Sequence, residues 1–185
     1  MNKNMRKIKI EKVTLNIGTG KDVKLLEKAV KLLGEITNSK PVKTYTNKRI
    51  PTWGLRPGLA IGCKVTLRKN RANELLKRLL DAIEFKLGER QFDQEGNLSF
   101  GIPEYIDIGK MKYIPEIGIM GLEVSVTLER PGFRIKKRKL LKRKIPKKHR
   151  ITKEESIEFM KKEFNVELKG EEEWHIAIIK KFLNN

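Results

Sequence analysis

Short runs of alternating apolar and polar residues recur along the chain, and two longer stretches repeat at helical spacing. In IKIEKVTLNIG (8–18), Ile8 and Ile10 share one phase while Val13, Leu15 and Ile17 share the other. A period of two that slips once predicts one strand with a bulge near Glu11–Lys12. The polar side of its later half carries Lys12, Thr14 and Asn16. Residues 22–37 put Leu26, Ala29, Val30, Leu33 and Ile36 on one stripe, which predicts an amphipathic helix. TNSKP (37–41) ends it, and PVKTYTNK (41–48) follows as a short strand. LAIGCKVTLR (59–68) alternates cleanly: Leu59, Ile61, Cys63, Val65 and Leu67 on one side, with Lys64, Thr66 and Arg68 on the other. Leu76, Leu79, Leu80 and Ile83 predict a second helix over 71–87, with Asn70 as its N-cap.

Residues 88–119 are rich in Gly and Pro and read as a long excursion with short strands at LSFGI and YIDIG. MGLEVSVTLE (120–129) alternates again and is stopped by RPG (130–132). Thr152 and Glu155 have capping-box spacing at the head of a short helix within 151–164. The tail, with EEE and then WHIAIIKKFL, has no clear period. The order β-α-β-β-α-(β)-β predicts an α+β class: a mostly antiparallel sheet, two main helices packed on one face, and a polar, basic opposite face. The expected organisation is an α+β domain over 1–132, a basic arm and short helix over 133–164, and a C-terminal extension over 165–185.

Charge narrows the partner. Lys plus Arg number 42 against 23 Asp plus Glu, a formal charge of +19 in 185 residues. Heat-adapted surfaces are rich in both signs and do not explain such an excess of one. The field points to a polyanion, either nucleic acid or an anionic membrane face. Residues 133–150, FRIKKRKLLKRKIPKKHR, hold 11 cations and no acid. These are Arg134, Lys136, Lys137, Arg138, Lys139, Lys142, Arg143, Lys144, Lys147, Lys148 and Arg150. So dense a block repels itself, and it is expected to be an extended arm that orders against phosphate. No apolar run is long enough to span a membrane. MNKNMRKIKIEK is basic but lacks the apolar core of a signal peptide. A single cysteine, Cys63, leaves no internal disulfide and fits a reducing cytosol.

Catalytic chemistry finds no purchase. GTGK (18–21) lies between a strand and a helix, but Leu15 stands where a P-loop needs Gly and Asp22 where it needs Ser or Thr. It reads as a tight turn. His149 and His175 are far apart, and with one Cys they give no zinc spacing. Cys63 alternates with apolar neighbours and reads as a buried small residue. No enzyme, metal or cofactor is expected. On paired strands Lys12, Thr14, Asn16, Lys64, Thr66 and Arg68 would form one patch, with Lys43 of the short strand beside it. Cations there would neutralise phosphates, and Asn and Thr would bond 2′-hydroxyls or base edges. Trp53, in RIPTWGLRPG, either stacks on a base or plugs the underside of its own loop.

Several blocks then occur in a telling order: IEKVTLNIGTG, ITNSKPVKTYTNK, GLRPGLAIGCKVTLR, FDQEGNLSFGI and IGIMGLEVSVTLERPGFR. Together they resemble the fifth universal protein family of the large ribosomal subunit, which binds 5S rRNA. The match runs from about residue 6 to 164, and RPGFR with its basic arm and HRITKEE is similar to the archaeal and eukaryotic branch. The resemblance implies a cytoplasmic, non-enzymatic constituent of the large subunit, a monomer within the ribosome. It implies attachment of 5S rRNA in the central protuberance, contacts with large-subunit rRNA and P-site tRNA, and a bridge to a protein of the small-subunit head. The family's RNA-contacting strand residue falls on Asn16, its loop aromatic on Trp53 and its second-strand threonine on Thr66. Its usual Gln falls on Ser39, a shorter side chain. The loop implied near tRNA spans about 49–62, with Lys48, Arg49 and Arg56 as phosphate-reaching groups. A free RNA-binding factor or RNA chaperone is the alternative that composition alone does not separate.

Overall fold

The computed structural model describes residues 3–109 and 111–169. The phase slip in the first strand is real. β1 (Lys9–Gly18) pairs Ile10 with Leu128 and then Lys12 with Thr127, so Glu11 is the extra residue of a β-bulge. The bulge lets Ile10 and Val13 serve one apolar face although they stand three positions apart, which plain alternation would put on opposite sides. β2 (Val42–Tyr45), β3 (Ala60–Leu67), β5 (Leu98–Ile102) and β6 (Leu122–Glu129) join β1 in a fully antiparallel sheet of order β2-β3-β1-β6-β5. A parallel pair, β4 (Lys86–Gly88) with β7 (Glu167–Lys169), stands apart.

α1 (Val23–Thr37) begins where Asp22 accepts from the N–H groups of Lys24 at 2.9 Å and Leu25 at 3.2 Å. It ends at Asn38, whose left-handed φ of 47° closes the helix. Leu26, Ala29, Leu33 and Ile36 are buried beside β3, while Val30, read as part of the stripe, is only half-buried. α2 (Lys69–Asp81) lies over β1 and buries Leu75, Leu76, Leu79 and Leu80. Both helices therefore cover the face made by Val13, Leu15, Cys63, Val65, Val124 and Val126. Each such leucine or valine withdrawn from water contributes about 1.5–3 kcal/mol before conformational entropy is subtracted.

Some expected boundaries move. α2 stops at Asp81, not 87, because Glu84 and Phe85 both turn left-handed and Phe85 N–H returns to the Leu80 carbonyl at 2.9 Å. Asn70 lies inside its first turn; Arg68 takes the cap position without a side-chain hydrogen bond. YIDIG is not a strand. Tyr105–Asp107 is a 3₁₀ turn around a fully buried Tyr105, whose hydroxyl accepts from Ile114 N–H at 2.9 Å. After β6 comes α3 (Arg134–Lys137), a single turn. α4 (Lys153–Phe164) carries the expected capping box of Thr152 and Glu155. The tail's WHIAIIKKFL lies outside the described residues.

Candidate nucleic-acid interface

The face away from the helices is built in rows by strand register. Lys64, Asn16 and Glu123 lie side by side across β3, β1 and β6. The next row is Thr66, Thr14, Ser125 and Ser99, and Lys12 pairs with Thr127 beyond it. The hydroxyls of Thr14 and Thr66 stand 3.4 Å apart. Gly62, opposite Gly18 and Thr44, keeps the surface flat: a Cβ there would meet the Ile17 carbonyl at 2.6 Å. The result is a level strip of short hydroxyl and amide side chains flanked by Lys12 and Lys64. A surface of that kind lets a sugar–phosphate backbone approach closely and offers partners for 2′-hydroxyls.

Register sorts the sequence-predicted residues. Lys12, Thr14, Asn16, Lys64 and Thr66 come together on one face, and Arg68 is exposed where β3 runs into α2. Lys43 does not join them, because it pairs with Cys63 and so belongs to the helix side of an edge strand. Ser39, just past the α1 cap, donates its hydroxyl to the Thr37 carbonyl at 3.2 Å. The reading from β1 and β3 alone misses what β6 and β5 add: Ser125, Thr127, Ser99 and the acidic Glu123. Their outward alternation is visible, but nothing in the chain announces which strand flanks β1. Tyr45, exposed opposite Ala60 on the edge strand, is also missed.

The loop between β2 and β3 is a closed projection. Thr46 N–H bonds the Leu59 carbonyl at 3.0 Å, and Gly58 N–H bonds the Thr46 carbonyl at 2.9 Å. Farther out, Ile50 and Leu55 pair, and Pro51–Trp53 makes a 3₁₀ turn ended by Gly54 at φ 67°. Leu55 is the residue that plugs the loop, and Trp53 is 68% exposed. The ring therefore does not fold under its own loop. Lys48, Arg49 and Arg56 are exposed around it. Lys21 lays its stem beside Gly54, so the GTGK turn, plain in the sequence, brings one more cation to the loop.

The basic arm departs from the extended form expected of it. It folds back on itself because Phe133, Ile145 and Ile151 are buried in the core and pin both ends. Arg130, only 5% exposed, closes the root. It pairs with Glu155 at 2.6 Å and donates to the carbonyls of Arg150 at 3.0 Å and His149 at 3.4 Å. The His149 ring meets the Pro131 carbonyl at 2.9 Å and the edge of Phe133. In α3, Lys136 lies 5.2 Å from the Phe133 ring centre. Lys137 is spent internally on Glu11 at 2.7 Å and Glu129 at 2.9 Å. Partial burial lowers the pKa of its ammonium, but the hydrogen bonds it donates to Glu11 and Glu129 outweigh this and raise it. Arg134, Arg138, Lys139, Lys142, Arg143, Lys144, Lys147, Lys148 and Arg150 remain at the surface. Burial pushes the Cys63 thiol up to about 11, so it is no nucleophile at neutral pH.

Comparison with known proteins places the chain in a family. The family model described as ribosomal protein L5 matches residues 3–56, and the model for the C-terminus of that ribosomal family matches residues 60–159. A large ribosomal subunit protein uL5 from Sulfolobus acidocaldarius is 50% identical over 162 residues, 88% of this chain and 91% of the relative. The protein of the same description from Nanoarchaeum equitans is 50% identical over 165 residues, 89% of this chain and 97% of its own. That from Methanoregula boonei is 41% identical over 165 residues, 89% of this chain and 100% of the relative. The chain belongs to the ribosomal protein L5 family, in its archaeal form.

Proposed function

We propose that this protein is a structural constituent of the large ribosomal subunit in the cytoplasm and that it holds 5S rRNA on the open face of its sheet. The observation that carries the reading is the flat row Thr66, Thr14, Ser125 and Ser99, flanked by Lys12 and Lys64. Its hydroxyls suit 2′-OH and phosphate oxygens, and its cations supply affinity by releasing counterions. Holding 5S rRNA in this way helps attach it in the central protuberance. The projecting loop, with Trp53 outward among Lys48, Arg49 and Arg56, reaches P-site tRNA, and a further surface bridges to the small-subunit head. Surface cations of the folded arm engage large-subunit rRNA. No step of this role needs catalysis.

Sequencing the RNA that co-purifies with the full chain tests the assignment. Strong enrichment of 5S rRNA is expected. Recovery of unrelated RNAs in proportion to their abundance would contradict it. A salt series adds the physical signature: binding should fall steeply and linearly in log–log form as salt rises.

A further inference from the structure

The two most exposed large apolar side chains among the described residues are neighbours, Leu140 at 77% and Leu141 at 78%. They sit at the tip of the folded arm, amid Lys139, Lys142, Arg143 and Lys144. Neither solubility nor phosphate contact calls for leucine there, and two leucines in water forgo the favourable free energy of burial. The tip is also shaped. Leu141 holds a left-handed φ of 52°, a conformation disfavoured for a residue with a Cβ. Arg138 Nε donates to the Leu141 carbonyl at 2.9 Å, and Arg143 N–H donates to the Ile135 carbonyl at 3.3 Å, so two internal hydrogen bonds hold the turn that presents both leucines.

We propose that Leu140 and Leu141 form an apolar wedge that enters an unstacked site of structured ribosomal RNA, such as a bulge or a splayed loop. Lys139, Lys142, Arg143 and Lys144 take the phosphates on either side. The wedge rests on the reading that this chain binds ribosomal RNA. RNA is the partner because it offers both requirements within one loop's width: phosphates to match the cations around the leucines, and apolar base faces to cover them. Apolar side chains with cationic flanks act in this manner where proteins unstack or occupy weak base steps, and unpaired RNA already presents such faces.

The test uses the full chain and ribosomal RNA purified from large subunits, with filter binding over a series of KCl concentrations. Leu140→Ser with Leu141→Ser should weaken binding about tenfold and leave the salt slope unchanged, because a wedge buries apolar surface and touches no phosphate. Lys142→Gln with Arg143→Gln should instead flatten the slope by about 1–2. Leu140→Met with Leu141→Met should retain near-native affinity. Since both leucines are exposed, thermal melting should not move in any of these variants. Binding of the double serine variant within twofold of the natural chain would overturn the wedge. So would leucine-dependent binding to phosphatidylglycerol vesicles with ribosomal RNA affinity intact, which would mark a membrane contact. Failure of the natural chain to bind ribosomal RNA at all would overturn the functional reading itself.

Discussion

Asn16 Nδ2 donates to Glu123 Oε2 at 3.1 Å across β1 and β6. One acid therefore stands in the middle of a face proposed to meet a polyanion, and it holds the amide of the residue most central to that face. Its charge opposes phosphate while its hydrogen bond orients Asn16. Glu123→Gln keeps an acceptor and removes the charge. It should raise 5S rRNA affinity about 2–5-fold in low salt, with the gain shrinking as salt screens it. Gel shifts at two salt concentrations measure this, and lower affinity would assign Glu123 to positioning alone.

Trp53 sits outside the core, so its removal should separate binding from stability. Trp53→Ala should change unfolding free energy by no more than about 0.5 kcal/mol. It should cost about 1–3 kcal/mol wherever the ring stacks on a base. Urea denaturation checks the first figure. Titration against ribosomal RNA and against tRNA checks the second and shows which of them the loop meets.

Lys137 and Lys144 are both in the arm and should behave differently. Lys137 closes an ion-pair network with Glu11 and Glu129, whereas Lys144 is at the surface. Lys144→Ala should lower the salt slope of RNA binding by about 1 and leave melting unchanged. Lys137→Ala should leave the slope alone and lower stability by about 1 kcal/mol, since it strands two carboxylates that are partly buried. Equal slopes for both variants would contradict the division.

Cys63 supplies a pH test of the core. Its thiol is pushed up from an ordinary 9.0 to about 11 by burial. The folded state thus holds the proton more tightly than the unfolded state. That contribution is present in full below pH 9.0 and is lost as pH rises through about 11. The stability difference between the natural chain and Cys63→Ala should therefore shrink between these limits in urea titrations. A difference independent of pH would place the thiol in contact with solvent.

Periodicity carried most of the fold. Alternation set β1, β3 and β6 and even located the bulge at Glu11, because one buried face tolerates no slip without an extra residue. What it missed follows from long-range packing. Two left-handed residues, Glu84 and Phe85, end α2 although Ile83 continues its stripe. The arm's cations predicted extension, yet three apolar residues, Phe133, Ile145 and Ile151, suffice to pin it. The interface was half legible for a similar reason. Thr14, Asn16, Lys64 and Thr66 lie on strands adjacent in one reading, whereas Glu123, Ser125 and Ser99 join them only through the sheet order.

The most direct measurement is 5S rRNA affinity of a sheet-face variant, Thr14→Ala with Asn16→Ala and Thr66→Ala, by gel shift at fixed moderate salt. None of the three side chains belongs to the core, so circular dichroism should remain native. A sheet that holds 5S rRNA predicts a loss of about 100-fold, from three polar contacts worth about 1 kcal/mol each. Unchanged affinity in a natively folded variant would place the RNA elsewhere on the protein.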